Sequence, residues 1–473
     1  MNDLPPSGCH IHLIAACGVG MASLAGLLQA RGYRVTGSDQ NIYPPMSTYL
    51  TEIGIDVLAG YQPEHLSPRP DLVVVGNAVS RSNPEAQEVL NQNIPYISFP
   101  QALGQFLIGS RMSVAVAGTH GKTTTTALAA WVLTCAGLDP GFFIGGVPLN
   151  FGNGWRVGEG NHVVIEGDEY DTAFFDKGPK FLHYRPRHVI FTGVEFDHAD
   201  IYQDLEHVKT AFTRLMDIIP RDGSLVLCAD YPAALEISTG VRCPRITYGH
   251  RSDADWTASN VQFHEGRTFF DACYRGKSES RIEVTLIGRH NVMNALAVYA
   301  MGRALDIERD KLVEGFPTFR GVKRRQEIRG ERRGVLVIDD FAHHPTAVRE
   351  TIDAVRAAYR GRRLWAIFEP RSHTSKRSIF EKEFADALAQ ADRIVIADVY
   401  QPEKISKDQL LSVENVVSQI NGFDREPRAR VIGDAVEIAA CVAREAHPGD
   451  VVLVMSNGGF DAVQDKILQA LAG

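Results

Sequence analysis

The chain is poor in everything that would fasten it to a membrane, cross-link it or hold it on nucleic acid. Across its 473 residues no window approaches the ~20 consecutive apolar residues needed to span a bilayer, so membrane insertion is not expected. Its seven cysteines (Cys9, Cys17, Cys135, Cys228, Cys243, Cys273 and Cys441) are scattered, with no CxxC pair and no metal-site spacing. They read as reduced packing residues of a cytoplasmic protein. The opening MNDLPPSGCHIHLIAACGVGM lacks a basic n-region, and histidines and glycines break its apolar run, so no secretory signal is expected. Lys and Arg (49) are outnumbered by Asp and Glu (57), and a net charge of −8 argues against a broad electrostatic grip on nucleic acid. With 8% aromatic residues there is no sign of a base-stacking platform either. Internal repeats and low-complexity tracts are absent from the sequence as well.

What is present is the composition of a globular enzyme, 22% charged and 44% hydrophobic, in a chain too long for one ordinary core. Strands alternate with helices: His10 to Ala16, Met21 to Arg31, Tyr33 to Ser38 and Asp71 to Val75 open the chain in this rhythm. The expected fold is α/β with three domains: a Rossmann-like N-terminal domain over residues 1–110, a central P-loop ATPase domain over 111–322, and a Rossmann-like C-terminal domain over 323–473. In the third, strands are expected at Val335 to Ile338, Leu364 to Phe368, Arg393 to Ala397 and Val451 to Met455. Helices are expected at Thr346 to Ala358, Arg377 to Ala389 and Phe460 to Leu471. The stretch from Ser238 to Glu283 reads as antiparallel and peripheral.

The strongest local signal is SVAVAGTHGKTTTT, Ser113 to Thr126: an apolar strand, a turn with two glycines, a lysine and a threonine series. Gly118 and Gly121 let backbone N–H groups face an anion, and the positive end of the following helix faces the same place. Lys122 would reach the β/γ-phosphates and Thr123 would ligate Mg²⁺. The loop is short, with two residues where the general phosphate loop has four. The first domain has a similar deficit: Gly18-Val19-Gly20-Met21 is half of a dinucleotide fingerprint, Ser23 stands at the third glycine, and Asp39 follows where an acid would contact a ribose. A nucleotide diphosphate and an ordinary tight turn both fit it.

A triphosphate-bound cation needs more oxygen ligands, and Glu166, directly after an apolar strand, is the first choice, with His198 second. EGDEYD (Glu166 to Asp171) and EFDHAD (Glu195 to Asp200) end parallel strands and should face the loop. Arg324 and Arg325 are candidates for stabilising charge on a transferring phosphoryl group, or a solvated basic pair. His343-His344 before Pro345 suggests a helix start rather than a metal site, since no cysteine or third histidine lies near in sequence. Asp339-Asp340 could hold a ribose or the outer shell of the metal. Arg371, Ser372, His373 and Lys376 offer donors on a loop after a strand.

Taken together, CGVGMA, GSD (Gly37 to Asp39), GNAVSRSNPE (Gly76 to Glu85), GTHGKTTT, EGDEYD, EFDHAD, GRHNVMNALA (Gly288 to Ala297), RRQE, DDFAHHP and MSNGGF resemble the Mur ligase family, in its order and over nearly the whole chain. GTHGKTT is that family's own short loop. The resemblance implies ATP and Mg²⁺ as cofactors and an ATP-driven amide synthesis through an acyl phosphate. It implies catalytic roles for Lys122, His198 and Arg325, and ATP contacts from Gly118, Thr119, His120, Gly121, Lys122, Thr123, Thr124, Asn291, Asn294, Arg325 and Asp340. UDP-sugar contacts are implied for Gly18, Gly20, Met21, Ser38 and Asp39, and metal ligation for Thr123, Glu166 and His198. Some relatives use a carbamylated lysine, and no matching lysine is found here, with Thr213 near the expected place. Partners implied are UDP-N-acetylmuramate and a murein tripeptide, with no nucleic acid and no membrane insertion; a monomer and a weak dimer both remain open. L-alanine is the alternative amine. The inserted segment from Phe174 to Phe181, expected as a hairpin, favours the tripeptide. A P-loop motor and a UDP-sugar sensor are the readings from other classes.

Overall fold

A computed structural model describes residues 5–197, 201–264, 266–422 and 426–473. Among them, three large sheets follow one another along the chain, with a two-stranded hairpin besides. The first has five parallel strands, lying side by side as Val57–Ala59, Arg34–Asp39, His10–Ile14, Leu72–Val75 and Tyr96–Ser98. The chain works outward from His10–Ile14 on one side and then the other, so a crevice opens where the direction reverses, at the carboxyl ends of His10–Ile14 and Leu72–Val75. His10–Ile14 is shorter than its apolar run suggests. Ala15 takes φ 68°, and the N–H groups of Ala15 and Ala16 turn to the Ser38 carbonyl, starting the glycine turn early.

The second sheet has ten strands, and the Met112–Ala117 run, buried from Ser113 onward, sits in its middle between His162–Gly167 and His188–Phe191, both parallel to it. The carboxyl ends of these three strands therefore deliver the phosphate loop, Glu166 and the Glu195 segment to one edge. Ser224–Cys228 and Arg245–Tyr248 extend the parallel set, and Trp256–His264, Arg267–Tyr274 and Lys277–Val284 continue it as an antiparallel meander. The stretch from Ser238 is thus not peripheral: Phe270, Ala272 and Ile282 are buried beneath the helix Arg289–Ala304 and belong to the central core. The Phe174 to Phe181 segment is a hairpin only to Pro179. Asp171–Ala173 pairs with Asp176–Pro179 around Phe174-Phe175, and Lys180–Tyr184 is a 3-10 turn.

The third sheet runs Glu327–Arg332, Val335–Asp340, Val451–Met455, Leu364–Phe368, Arg393–Ile396 and Ala429–Val431, parallel except for the first pair. Two expected helices start late. Ser378–Phe380 is a 3-10 turn ahead of Glu381–Leu388, and Phe460, Asp461 and Ala462 at positive φ hold back the last helix to Val463–Ala472.

The three units are joined unequally. One apolar cluster runs from Ile11 and Leu24 through Phe106 to Ala115, Phe143 and Phe181, so the first two units share a core. The clusters on the two faces of the third sheet are its own, Ile287 apart. Within the shared core, Gly104 lies against the His183 backbone carbonyl, where a Cβ would collide. We expect Gly104→Ala to lower stability by about 1–3 kcal/mol through overpacking, read as a reduced urea midpoint.

Candidate functional site

The phosphate loop is built from two glycines that nothing larger replaces. Gly118 has φ +125° and its Cβ would strike Thr192 and the Gly193 backbone; Gly121 has φ +78° and faces the Asn294 side chain. Thr119 locks the loop to the next strand end, accepting from the Glu195 N–H at 2.9 Å. Lys122 begins the helix Lys122–Cys135, and its ammonium folds back to the Gly118 carbonyl (2.7 Å) and the Glu169 carboxylate (3.0 Å). Burial works to lower the Lys122 pKa, but Glu169, Asp168 and Glu166 outweigh it and raise it, so the lysine stays charged. Next to it the Thr123 hydroxyl donates to Glu166 at 2.7 Å, and the other Glu166 oxygen accepts from the Gly145 N–H at 2.7 Å. Burial and the neighbouring Asp168 push the Glu166 carboxyl up.

The hinge between the second and third units supplies a guanidinium. Arg324 and Gln326 take φ 61° and 53°, and Arg325 between them lies over the Phe341 ring at 4.5 Å and donates to the Thr123 hydroxyl at 3.2 Å. Asp340 is spent on this turn, accepting from the Gln326 N–H (2.8 Å) and the Ala342 N–H (2.7 Å). Arg324 points instead to the Ser456 and Gly458 carbonyls. Beside the loop a cavity of about 500 Å³ lies between the second and third units, lined by His120, Gly121, His290, Asn294 and Glu350 among others. Asn294 reaches it; Asn291 stands behind, accepting from the Asn294 amide at 3.0 Å and donating to the Ile287 carbonyl. His290 is held neutral by burial, its pKa lowered to about 4.

In the first unit Gly18 caps the helix Val19–Ala30, and Gly20 lies under the Phe99 ring, where a Cβ would come within 3.2 Å. Asp39 ties the turn together through the N–H groups of Cys17 (2.8 Å) and Asn41 (2.9 Å). Ser38 is fully buried and donates to Glu85 at 2.5 Å, so Ser38 and Asp39 shape the crevice walls. The hairpin crosses to this unit: Phe175 meets Tyr96 edge-on at 4.9 Å, and Phe174 and Phe175 pack on the cluster of Ile14, Val73 and Val89. At its base Lys180 bonds Asp168 (2.9 Å) and lies over Tyr170 at 3.9 Å.

Of the residues expected from sequence, Gly118 to Thr124, Glu166 and Arg325 converge on one point, with Asn294 in the adjoining cavity and Asp340 and Asn291 one layer back. Gly18, Gly20 and Met21 form the separate turn of the first unit, and His198 lies outside the described residues. Sequence reasoning missed Glu169 as the partner of Lys122, and missed that His120, Glu195 and His344 gather at one place. His344 also caps its Pro-started helix, as expected, accepting weakly from the Thr346 N–H at 3.3 Å.

The chain matches the family models described as Mur ligase family, catalytic domain, over residues 10–111; Mur ligase middle domain, over 116–302; and Mur ligase, glutamate ligase domain, over 324–458. It is 40% identical over 464 residues, 98% of each chain, to the UDP-N-acetylmuramate–L-alanyl-gamma-D-glutamyl-meso-2,6-diaminoheptandioate ligase of Escherichia coli K12. It resembles the crystal structure of a murein peptide ligase from Psychrobacter arcticus at 36% identity and TM-score 0.72, covering 98% of this chain and 99% of that one. A UDP-N-acetylmuramate–alanine ligase from Thermotoga maritima superposes with TM-score 0.80 at 25% identity, covering 98% of both.

Glu85 gives this region a pH dependence. Burial alone would raise its carboxyl, but His12, Ser38 and His65 hold it below the usual range. Its stabilisation is present above the ordinary carboxylate pKa of about 4.3 and is lost as pH falls through the lower folded value. We expect Glu85→Gln to cost about 1–3 kcal/mol at pH 7 and to flatten the loss of stability below about pH 4, checked by urea unfolding across an acid series.

Proposed function

The chain belongs to the Mur ligase family and is an ATP-dependent ligase, and from that premise we propose that it joins UDP-N-acetylmuramate to L-alanyl-γ-D-glutamyl-meso-diaminopimelate. The observation that carries the chemistry is the meeting of Lys122, Thr123, Glu166 and Arg325 at one strand edge. What supports the tripeptide is the 40% identity over the full length to the E. coli ligase of that name. The free thiols and the absence, among the described residues, of a helix able to cross a membrane fit a cytoplasmic role in peptidoglycan recycling.

A free carboxylate is a poor electrophile. The muramyl carboxylate attacks the γ-phosphorus of ATP, ADP leaves, and the amine attacks the acyl phosphate; the tetrahedral adduct collapses by expelling phosphate, and the amine's proton passes to solvent. Lys122 exchanges Glu169 for the γ-phosphate, while the backbone N–H groups of residues 118–124 and the helix N-terminus hold the phosphate chain. Arg325 approaches from the third unit to stabilise charge on the transferring group. The Asn294 cavity takes the adenine, and the Gly18 to Met21 turn takes the UDP pyrophosphate. Thr123 and Glu166 fit a hard cation, since they place a hydroxyl and a carboxylate oxygen side by side beside the phosphate loop. Mg²⁺ held there would neutralise charge on the β- and γ-phosphates. The third-unit loop carries peptide contacts, with Arg371 lying over Tyr400 at 3.7 Å and half-buried beside Glu369. Lys376 is buried against the Tyr400 carbonyl and supports that loop.

With ATP, Mg²⁺ and UDP-N-acetylmuramate supplied, phosphate release should be faster with the tripeptide than with L-alanine; the opposite ranking overturns the tripeptide reading and leaves the alanine ligase. Lys122→Ala should abolish phosphate release while leaving UDP-N-acetylmuramate affinity, measured by calorimetry, within about twofold, since that site lies on another unit. Equal loss of both would contradict the separation.

A further inference from the structure

The side chains of His120, Glu195 and His344 are given no step in the phosphate chemistry above, although the His120 backbone belongs to the phosphate loop, and they form a donor set of their own. His120 comes from the phosphate loop, Glu195 from the segment after His188–Phe191, and His344 from the helix start of the third unit; one donor atom from each lies within 4.8 Å of the others. His120 Nε2 is 3.0 Å and His344 Nδ1 3.8 Å from the same Glu195 oxygen, and the two rings are 4.8 Å apart. His344 is 5% exposed; its Nδ1, the nitrogen measured against Glu195, also accepts from the Thr346 N–H at 3.3 Å, and its Nε2 has no hydrogen-bond partner. Leaving a buried polar nitrogen unpaired is costly unless something else compensates it.

We propose that His120, Glu195 and His344 bind a borderline transition-metal cation of the zinc class across the seam between the second and third units. Two imidazoles and one carboxylate suit Zn²⁺ or Co²⁺, whereas the all-oxygen pair Thr123 and Glu166 suits Mg²⁺. The protonation states suit it too. Glu195 is held down to about 2, where the His120 and Thr346 hydrogen bonds outweigh its burial, and burial keeps His344 neutral with a pKa lowered to about 4. Both groups are in their metal-binding forms at neutral pH. Glu195 is 29% exposed, which gives an ion a way in. With bonds of about 2.0–2.1 Å, donors around a tetrahedral ion stand roughly 3.4 Å apart, so the ion draws His344 toward the phosphate loop. The third unit is thereby clamped on the second. Zn²⁺ accordingly slows turnover with Mg²⁺ in excess, because the cleft must reopen to release product.

The test is a Co²⁺ titration of the full-length protein in saturating Mg²⁺, read by visible absorption. The expected result is one Co²⁺ per chain, displaced by Zn²⁺, with affinity reduced at least about tenfold in His344→Gln and in Glu195→Gln and retained in Glu166→Gln. Circular dichroism establishes that each variant is folded; should one not fold, the other carries the comparison. Zn²⁺ inhibition should weaken in parallel with Co²⁺ affinity in His344→Gln. No Co²⁺ spectrum in the parent, or an unchanged one in the seam variants, overturns the proposal. Loss of the spectrum in Glu166→Gln overturns it as well, since the ion would then belong to the Mg²⁺ position.

Discussion

One ammonium group sets the terms for this structure. Lys122 is taken largely out of water at the start of a buried helix, and an uncompensated charge there would cost several kcal/mol. Glu169 supplies the compensation at 3.0 Å, with Asp168 and Glu166 behind it, and Tyr202 steadies the arrangement by donating to the Glu169 carbonyl. Four acids at the end of one strand, Glu166, Asp168, Glu169 and Asp171, would repel one another without cations; Lys122, Lys180 and Lys177 each take one. The ammonium charge is thus never buried alone, and Glu166, which bonds no lysine directly, keeps the Thr123 hydroxyl and the Gly145 N–H as its partners.

The same balance explains why the units are joined as they are. The loop and the acids come from adjacent strands of one sheet and must hold their spacing, so the first two units share a continuous core. The third meets them through polar contacts and a hinge: Thr346 donates to Glu195 at 2.9 Å, Thr374 to Asp197 at 2.6 Å, and Arg325 to Thr123 at 3.2 Å. Contacts of this kind are made and broken at low net cost, as a site requires that must admit substrates and then exclude water from an acyl phosphate.

This division also decides what could be read in advance. The loop from Ser113 to Thr126 was legible because a buried strand, two glycines and a lysine must be contiguous to work. Strand ends carrying Glu166 and Glu195 were legible because acids after apolar runs are expensive without a purpose. Pairings between such ends leave no local trace: nothing near Lys122 points to Glu169, and nothing near His344 points to His120. The meander after Arg245 was misplaced because alternation reveals a strand's exposed face but not which sheet it extends. Ser38 and Asp39 were expected as ligand contacts, both from the family resemblance and Asp39 also from its place after the second strand, and the fold in addition uses both to fasten the crevice.

The hairpin shows most clearly how a sequence marker and its physical role can differ. As an insertion it separates one amine preference from another by resemblance, yet its tip packs on the first unit, beside Tyr96 and the apolar cluster under the sugar crevice. Its direct contacts are therefore with the first unit, through the wall it adds and through Lys180, which reaches Asp168 and the Phe99 ring that overlies Gly20. Arg371, braced by Tyr400 and Glu369, stands instead on the third unit, on the loop from which Thr374 reaches Asp197. A segment that marks the amine preference in sequence is thus, in the fold, a wall of the first unit's crevice, while the cationic loop around Arg371 belongs to the third unit, so the two features act from opposite units.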